Sequence, residues 1–449
     1  DNSAGVDCSD HEVNIKILLN DVMASTSLTL PERDVLLASM TDEVGEQVLD
    51  DNRAQTLALA IARRQALPMV NVHARYLNQL ESEGWLNRAL EFLPTDKQIA
   101  ERQSAGIGLT TPEFAVLLAY TKTANIELIE QSNLPDDPYL QPMLFGYFPT
   151  PLREPYAEQI RRHRLHREIV ATQLGNQMSN LSGISFDHRV TEDTGVGVVD
   201  VARAWVVARD VFDAGTWWDE IDAIGPDVRL DVQIELFLEV RRMVERGVSW
   251  VLRHRRPPVD IGALVGQFRA AISRLGSGLD DVLYGRMRDL TFALEAGRLA
   301  AGVPEQIAQR SAQWPLLHTG LDQIELAQRI GVEPAEVART YWRVFDAVDV
   351  GWLWDAIGAL PRSDRWQTQA RSALRDDLLA VLAELTDDAM SLGSIGDWTA
   401  TNERVIARVS AMFTEIRRAD TFDITTLSVA VRQLRNLART TQRAGQSSS

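Results

Sequence analysis

Apolar side chains recur at three- and four-residue intervals along almost the whole chain, and this spacing restricts the fold more than any other feature. In HEVNIKILLNDVM, Ile15, Leu18, Leu19 and Val22 follow i, i+3, i+4, i+7 and fall on one face of a helix. The same pattern predicts helices over 42–67, 69–92, 95–105, 156–180, 198–214, 227–254, 259–275 and 278–301. It continues over 304–314, 321–330, 333–349, 363–387, 400–419 and 424–441. In TPEFAVLLAYTKTANIELIEQ, Thr111 is the expected N-cap and Pro112 takes the first helical position, where a missing N–H costs nothing. Strand-like alternation is confined to GISFDHRV at 183–190, which fits a short strand or an extended loop. The expected class is mainly α, an irregular multi-helix array or bundle with little or no β.

Two breaks punctuate the helices. Residues 132–155 carry prolines at 135, 138, 142, 149, 151 and 155, which cannot continue a helix interior. The same stretch holds Tyr139, Leu140, Met143, Leu144, Phe145, Tyr147 and Phe148, too apolar for a flexible linker, so an ordered segment packed across helices is expected. The second break, 183–197, places a boundary near 190–197. The closing TTQRAGQSSS reads as a frayed polar tail.

Charge and composition narrow the partners. A net charge of −17 argues against non-specific binding to nucleic acid or anionic membranes. Cys8 is the single cysteine, so no intrachain disulfide forms, and a reducing cytoplasm is the expected compartment. No apolar run approaches membrane-spanning length, and no secretory signal is expected at the start. In QIRRHRLHREIV, Arg161, Arg162, Arg164 and Arg167 fit a solvated face or an acidic protein surface better than nucleic acid. His163 and His166, at i and i+3, can share a face, but no third ligand accompanies them and no metal site is expected. Lys122 has no nucleophilic or Schiff-base context and reads as structural or surface rather than catalytic. Ten of the eleven tryptophans follow residue 197, where core packing is the default and 349–360 is a candidate subunit interface.

The opening residues DNSAGVDCSDHE hold the candidate site. Ser9-Asp10-His11-Glu12 fits a capping box ahead of an apolar run, with Gly5 permitting a sharp turn before it. The same geometry offers unpaired N–H donors to an anion. The two uses are not separable from spacing alone.

Asn2, Gly5, Val6, Ser9 and Glu12 also fall in register with N-A-G-G-V-x-x-S-x-x-E, the segment that closes the dinucleotide-binding domain of amino-acid dehydrogenases. Ser3 and Ala4 replace that pattern's Ala and first Gly, and Asp7 adds a negative charge. With ALPMVNVHARYLNQLESEGWLNRALEFLPTD, GLTTPEFAVLLAYTK, YFPTPLREPYAEQIRRHRLHREIVATQLGNQMSNLSGISF and RVTEDTG, the chain resembles the very large bacterial NAD-specific glutamate dehydrogenases, closely over 1–197. Beyond that point it offers only a plausible helical C-terminus.

The resemblance implies that residues 1–12 end a catalytic dinucleotide-binding domain, 13–197 form a helical region packed on it, and 198–449 form a C-terminal helical domain. It implies NAD as cofactor, L-glutamate and 2-oxoglutarate as substrate and product, and a cytoplasmic homo-oligomer. Asn2 would lie beside the nicotinamide and the reacting end of the substrate, Gly5 beside the cofactor, and Ser9 at the distal carboxylate. The family's catalytic lysine and aspartate, its other substrate lysine and its Gly-rich phosphate loop are expected upstream. TGVGVVD at 194–200 follows no convincing strand and does not replace that loop. The piece alone is therefore expected to be catalytically silent, the alternative being a non-catalytic helical assembly or regulatory module.

Overall fold

A computed structural model describes residues 2–25, 28–361, 364–419 and 422–446, with side chains described from residue 8 to 438 within those stretches. Every regular element among the described residues is helical, which matches the class read from periodicity. The strand-like stretch 183–190 is corrected: Phe186–Thr194 is a helix, ended by Gly195 in the left-handed region (φ 74°), whose N–H donates to the Thr191 carbonyl. Ile184, Phe186, Asp187, His188 and Val190 are all buried, so the segment is enclosed on several sides and its alternation carried no strand information.

The chain divides into two compact units, one of residues 1–207 with 251–262, the other of 208–250 with 263–449. In the first, the core gathers Leu77, Leu80, Leu86, Phe114, Leu117 and Ile184. The helix Thr111–Glu130 is capped by Thr110 rather than Thr111. Glu113 accepts the Thr110 backbone N–H at 2.7 Å and also pairs with Arg102, and this carboxylate sets the capping register one residue earlier. Lys122 is buried on this helix. The helix His166–Ser182 runs against it so closely that a Cβ on Gly175 would lie 2.6 Å from Ile126 Cγ1.

The proline-rich stretch folds as short helical pieces, Leu134–Asp136, Pro138–Leu140, Gln141–Tyr147 and Thr150–Arg153. Pro135, Pro138, Pro142 and Pro151 take opening positions of these pieces, where no internal N–H is needed. Leu140, Leu144, Tyr147, Phe148 and Leu152 are buried. Arg203 ties the stretch down, donating to Asp137 at 2.8 Å and Asn133 at 2.9 Å.

The helix expected over 156–180 is two helices, Ala157–Arg161 and His166–Ser182. Between them His163 turns inward, and its Nδ1 accepts the Leu165 N–H at 3.1 Å. His163 and His166 therefore do not share a helix face. The basic stretch is spent locally: Arg161 pairs with Glu158, and Arg167 closes the end of the Thr111–Glu130 helix through the carbonyls of Glu130 (2.7 Å) and Ser132 (2.6 Å).

In the second unit, Trp342, Phe345, Leu353, Leu378, Leu382, Trp398, Phe413 and Leu434 form the core. Trp314, Trp342 and Trp398 are fully enclosed, as core packing requires, whereas Trp366 is 72% exposed. The helix expected over 278–301 is interrupted at Leu283 and Tyr284, giving Leu279–Val282 and Gly285–Ala300. The helix Ile424–Gln446 takes in most of the polar stretch expected to fray, and 447–449 lie outside the described residues. Among the described residues, no helix is long and apolar enough to cross a membrane.

Candidate functional site

The opening helix runs Asn2–Ser25, so Ser9 stands two turns inside it and not at its start. The expected capping box is overturned. A cap contributes about 1 kcal/mol, and nothing in NSAGVDCS forbids the helix from continuing backward through it. Glu12, which would have closed the box, instead pairs with Lys16 one turn on. The argument that Ser9 lies at an anion-welcoming helix N-terminus falls with the box.

The helix nonetheless brings the three sequence-derived positions together. Residues 2, 5 and 9 are spaced i, i+3, i+7 and share one side of the backbone helix. The side chain of Asn2 lies outside the described residues. Ser9 is exposed, and so are Glu12, Val13 and Lys16, which continue that side.

Another side, where His11 and Asn14 are buried and Asp10 is exposed, is held by one tyrosine. Tyr147, at the end of the Gln141–Tyr147 helix, donates its hydroxyl to Asp10 at 2.7 Å and accepts from Asn14 Nδ2 at 2.9 Å. Asn14 also donates to Asp10 at 3.1 Å, closing a triangle. His11 stacks on the Tyr147 ring at 4.4 Å between centroids. The backbone joins in: His163 Nε2 lies 3.1 Å from the Asn14 carbonyl. Because Nδ1 of that ring already accepts from Leu165, the proton sits on Nε2, which donates. Burial lowers the His163 pKa, which keeps the ring neutral. Burial, then the Asp10 carboxylate, raises the Tyr147 pKa and keeps its hydroxyl protonated.

A second buried polar centre went unseen in the sequence. Tyr76 donates to Asp187 at 3.2 Å and stacks on His188 at 4.8 Å. His188 Nδ1 contacts Gln79 Oε1 at 2.5 Å, and His73 meets the Phe114 ring edge-on at 4.9 Å. Burial raises the Asp187 carboxyl to about 6 and lowers the His73 imidazole to about 3, so each prefers its neutral form more than usual. Arg75 holds Glu192 with two contacts of 2.9 Å alongside. The one advance signal was the placement of His73 and Tyr76 on a face otherwise apolar, i and i+3 apart. The partners of Tyr76 lie more than a hundred residues away. The centre joins the helices Val70–Ser82 and Phe186–Thr194 and lacks an open nucleophile. Among the described residues, no three His, Cys, Asp or Glu side chains gather as a metal site.

The chain is similar to known proteins over nearly its whole length. The family model described as "Glutamate dehydrogenase, C-terminal" matches residues 106–436, and "Bacterial NAD-glutamate dehydrogenase, catalytic domain" matches 1–62. The chain is 40% identical over 450 aligned positions to an NAD-specific glutamate dehydrogenase of Pseudomonas aeruginosa and 38% identical over 451 to that of Mycobacterium tuberculosis. That of Halomonas elongata is 33% identical over 452. These alignments cover 98–99% of this chain and 28% of each relative, so the likeness continues well past residue 197. With one family model spanning 106–436 and nearly all of this chain aligned to those relatives, the chain belongs to the bacterial NAD-specific glutamate dehydrogenase family, as a portion spanning 28% of its relatives' length.

Proposed function

We propose that this chain is the C-terminal part of an enzyme that oxidatively deaminates L-glutamate to 2-oxoglutarate and ammonia with NAD. The observation that carries the reading is end-to-end alignment with NAD-specific glutamate dehydrogenases over 98–99% of the chain. The opening helix fits a binding strip, because positions 2, 5 and 9 lie along one side and Ser9 is open to solvent. NAD, when bound, supplies the hydride acceptor. In this reading Ser9 donates its hydroxyl to the distal carboxylate of glutamate, Asn2 orients the reacting end, and Gly5 lets backbone approach the cofactor. The remaining helices brace the strip. The catalytic lysine and aspartate and the phosphate loop belong to the rest of the parent, so the piece alone is silent. In this reading the parent is a cytoplasmic homo-oligomer.

The Gly285–Ala300 helix favours a second role for the same chain, as an assembly module. Leu290, Phe292, Leu294 and Leu299 are each about two-fifths exposed there, more apolar surface than a solvated helix needs.

Ser9→Ala in the full-length enzyme tests the site. Loss of a hydrogen bond to a charged group should raise KM for glutamate roughly tenfold and leave KM for NAD nearly unchanged. Equal effects on both constants, or none, remove Ser9 from the substrate. Glutamate-dependent NADH formation by the isolated chain would overturn the claim that the piece is silent.

A further inference from the structure

The exposed side of the opening helix points wherever the buried side lets it. Ser9 and Asp10 are neighbours in sequence and about 100° apart around the helix. Fixing Asp10 and Asn14 therefore fixes the direction of Ser9 as well. Apart from the triangle with Tyr147, the first buried aliphatic side chain of the helix among the described residues is Ile15.

Tyr147 is the hub of the constraint. Its hydroxyl both donates to Asp10 and accepts from Asn14, and its ring lies flat on His11, so it touches three of the five residues that follow Ser9. Its own position is fixed from below. Phe148 packs edge-on at 5.2 Å, and His163, which holds the Asn14 carbonyl, packs against Phe148 at 5.4 Å. The proline-rich stretch thus clamps the rotation of the opening helix, at a point where one residue of slip would turn Ser9 by a quarter of a turn or more.

We infer that Tyr147 is a positioning residue for substrate binding, holding Ser9 toward the glutamate carboxylate through the Tyr147–Asp10–Asn14 triangle. This rests on the substrate role proposed for Ser9. Tyr147 does not touch the substrate. It acts through Asp10 and the helix, and because Asp10 is next to Ser9 but five residues from Gly5, the effect is expected to be larger at the glutamate end than at NAD.

The test uses the full-length enzyme with Ser9→Ala, Tyr147→Phe, Asp10→Asn and the Ser9→Ala/Tyr147→Phe pair. Tyr147→Phe keeps the ring and its stack on His11 while deleting both hydroxyl bonds. KM for glutamate should rise roughly three- to tenfold, KM for NAD should stay within about twofold, and Asp10→Asn should move the glutamate constant in the same direction by less. Because Tyr147 works through Ser9, the pair should bind glutamate no worse than Ser9→Ala alone. A purely structural Tyr147 would lower stability or kcat without splitting the two KM values. If Ser9→Ala raises KM for glutamate but Tyr147→Phe does not, or if the two effects multiply in the pair, the positioning role is overturned while the substrate role of Ser9 stands. If Ser9→Ala leaves KM unchanged, the substrate role itself fails and the positioning role with it. Should Tyr147→Phe not fold, Asp10→Asn with and without Ser9→Ala gives the same decision.

Discussion

Replacing Asp187 by Asn should uncover a pH dependence that two buried groups conceal in each other. Burial raises the Asp187 carboxyl from 3.8 to about 6. Between those values the folded chain keeps a proton that the unfolded chain has released. Stability therefore falls as pH rises through this window, by about 1.4 kcal/mol per pH unit and about 3 kcal/mol in all. His73 runs the opposite way. Burial lowers its imidazole from 6.5 to about 3, so below 6.5 the unfolded chain takes up a proton that the folded chain refuses. Its contribution is complete above 6.5 and drains away as pH falls toward 3, with the same slope. From about pH 4 to 6 the two slopes oppose, and the pair is nearly silent.

Asp187→Asn removes the falling slope and leaves the rising one. The free-energy gap between variant and wild type should then shift in the variant's favour by about 3 kcal/mol from pH 3.5 to 6.5. A pH-independent offset of about 1–2 kcal/mol sits beneath it, because Asn offers Tyr76 and the nearby N–H groups one acceptor oxygen instead of two. Hydrogen exchange, corrected at each pH for intrinsic rates and read on peptides covering 70–82 and 186–194, reports the unit concerned. His73→Gln provides the mirror image, a gap that moves the other way over the same interval. A gap for Asp187→Asn that does not vary with pH would refute the reasoning, since it would mean the carboxyl titrates alike in both states.

Two further outcomes follow from packing. Gly175→Ala should cost about 1 kcal/mol in urea unfolding, the overpacking against Ile126 exceeding the helix-propensity gain of Ala, and Ile126→Ala should relieve much of that cost when combined with it. Trp398→Ala should cost about 3–5 kcal/mol and strip exchange protection from the helices Arg365–Ser391 and Ile424–Gln446, because Trp398 is completely enclosed in the core they share.

The helices were legible where apolar residues recur at helical spacing and were missed in two stretches that lack it. Leu30–Ser39 buries none of its residues, so it offers no apolar period; a capping box from Thr29 to Glu32 and Pro31 define its start. Gly351–Ala359 is apolar nearly all round and likewise shows no period. The two boxes of the same pattern had opposite fates for a local reason. Pro31 prevents the second helix from extending back past its cap, whereas the residues before Ser9 allow extension at a cost of about 1 kcal/mol for Gly5. At the candidate site, the spacing of 2, 5 and 9 was readable, because it lies within one helix. Tyr147 was visible only as an apolar member of a proline-rich segment. Its partnership with Asp10 spans 137 positions, and no local pattern encodes it. The pairing of Tyr76 with Asp187 across 111 positions was hidden in the same way.

The first compact unit is not continuous in the chain: it closes with residues 251–262, after the 43 residues 208–250 have been given to the second. On a ribosome this imposes an order. When Val207 has emerged, the unit that carries the opening helix still lacks a piece, including the helix start where Gly262 lies near Tyr139. At about 5–20 residues per second that piece arrives several seconds later. Until then the nascent chain must keep a nearly finished surface apart from its neighbours, and no truncation placed between the two breaks can yield a complete first unit.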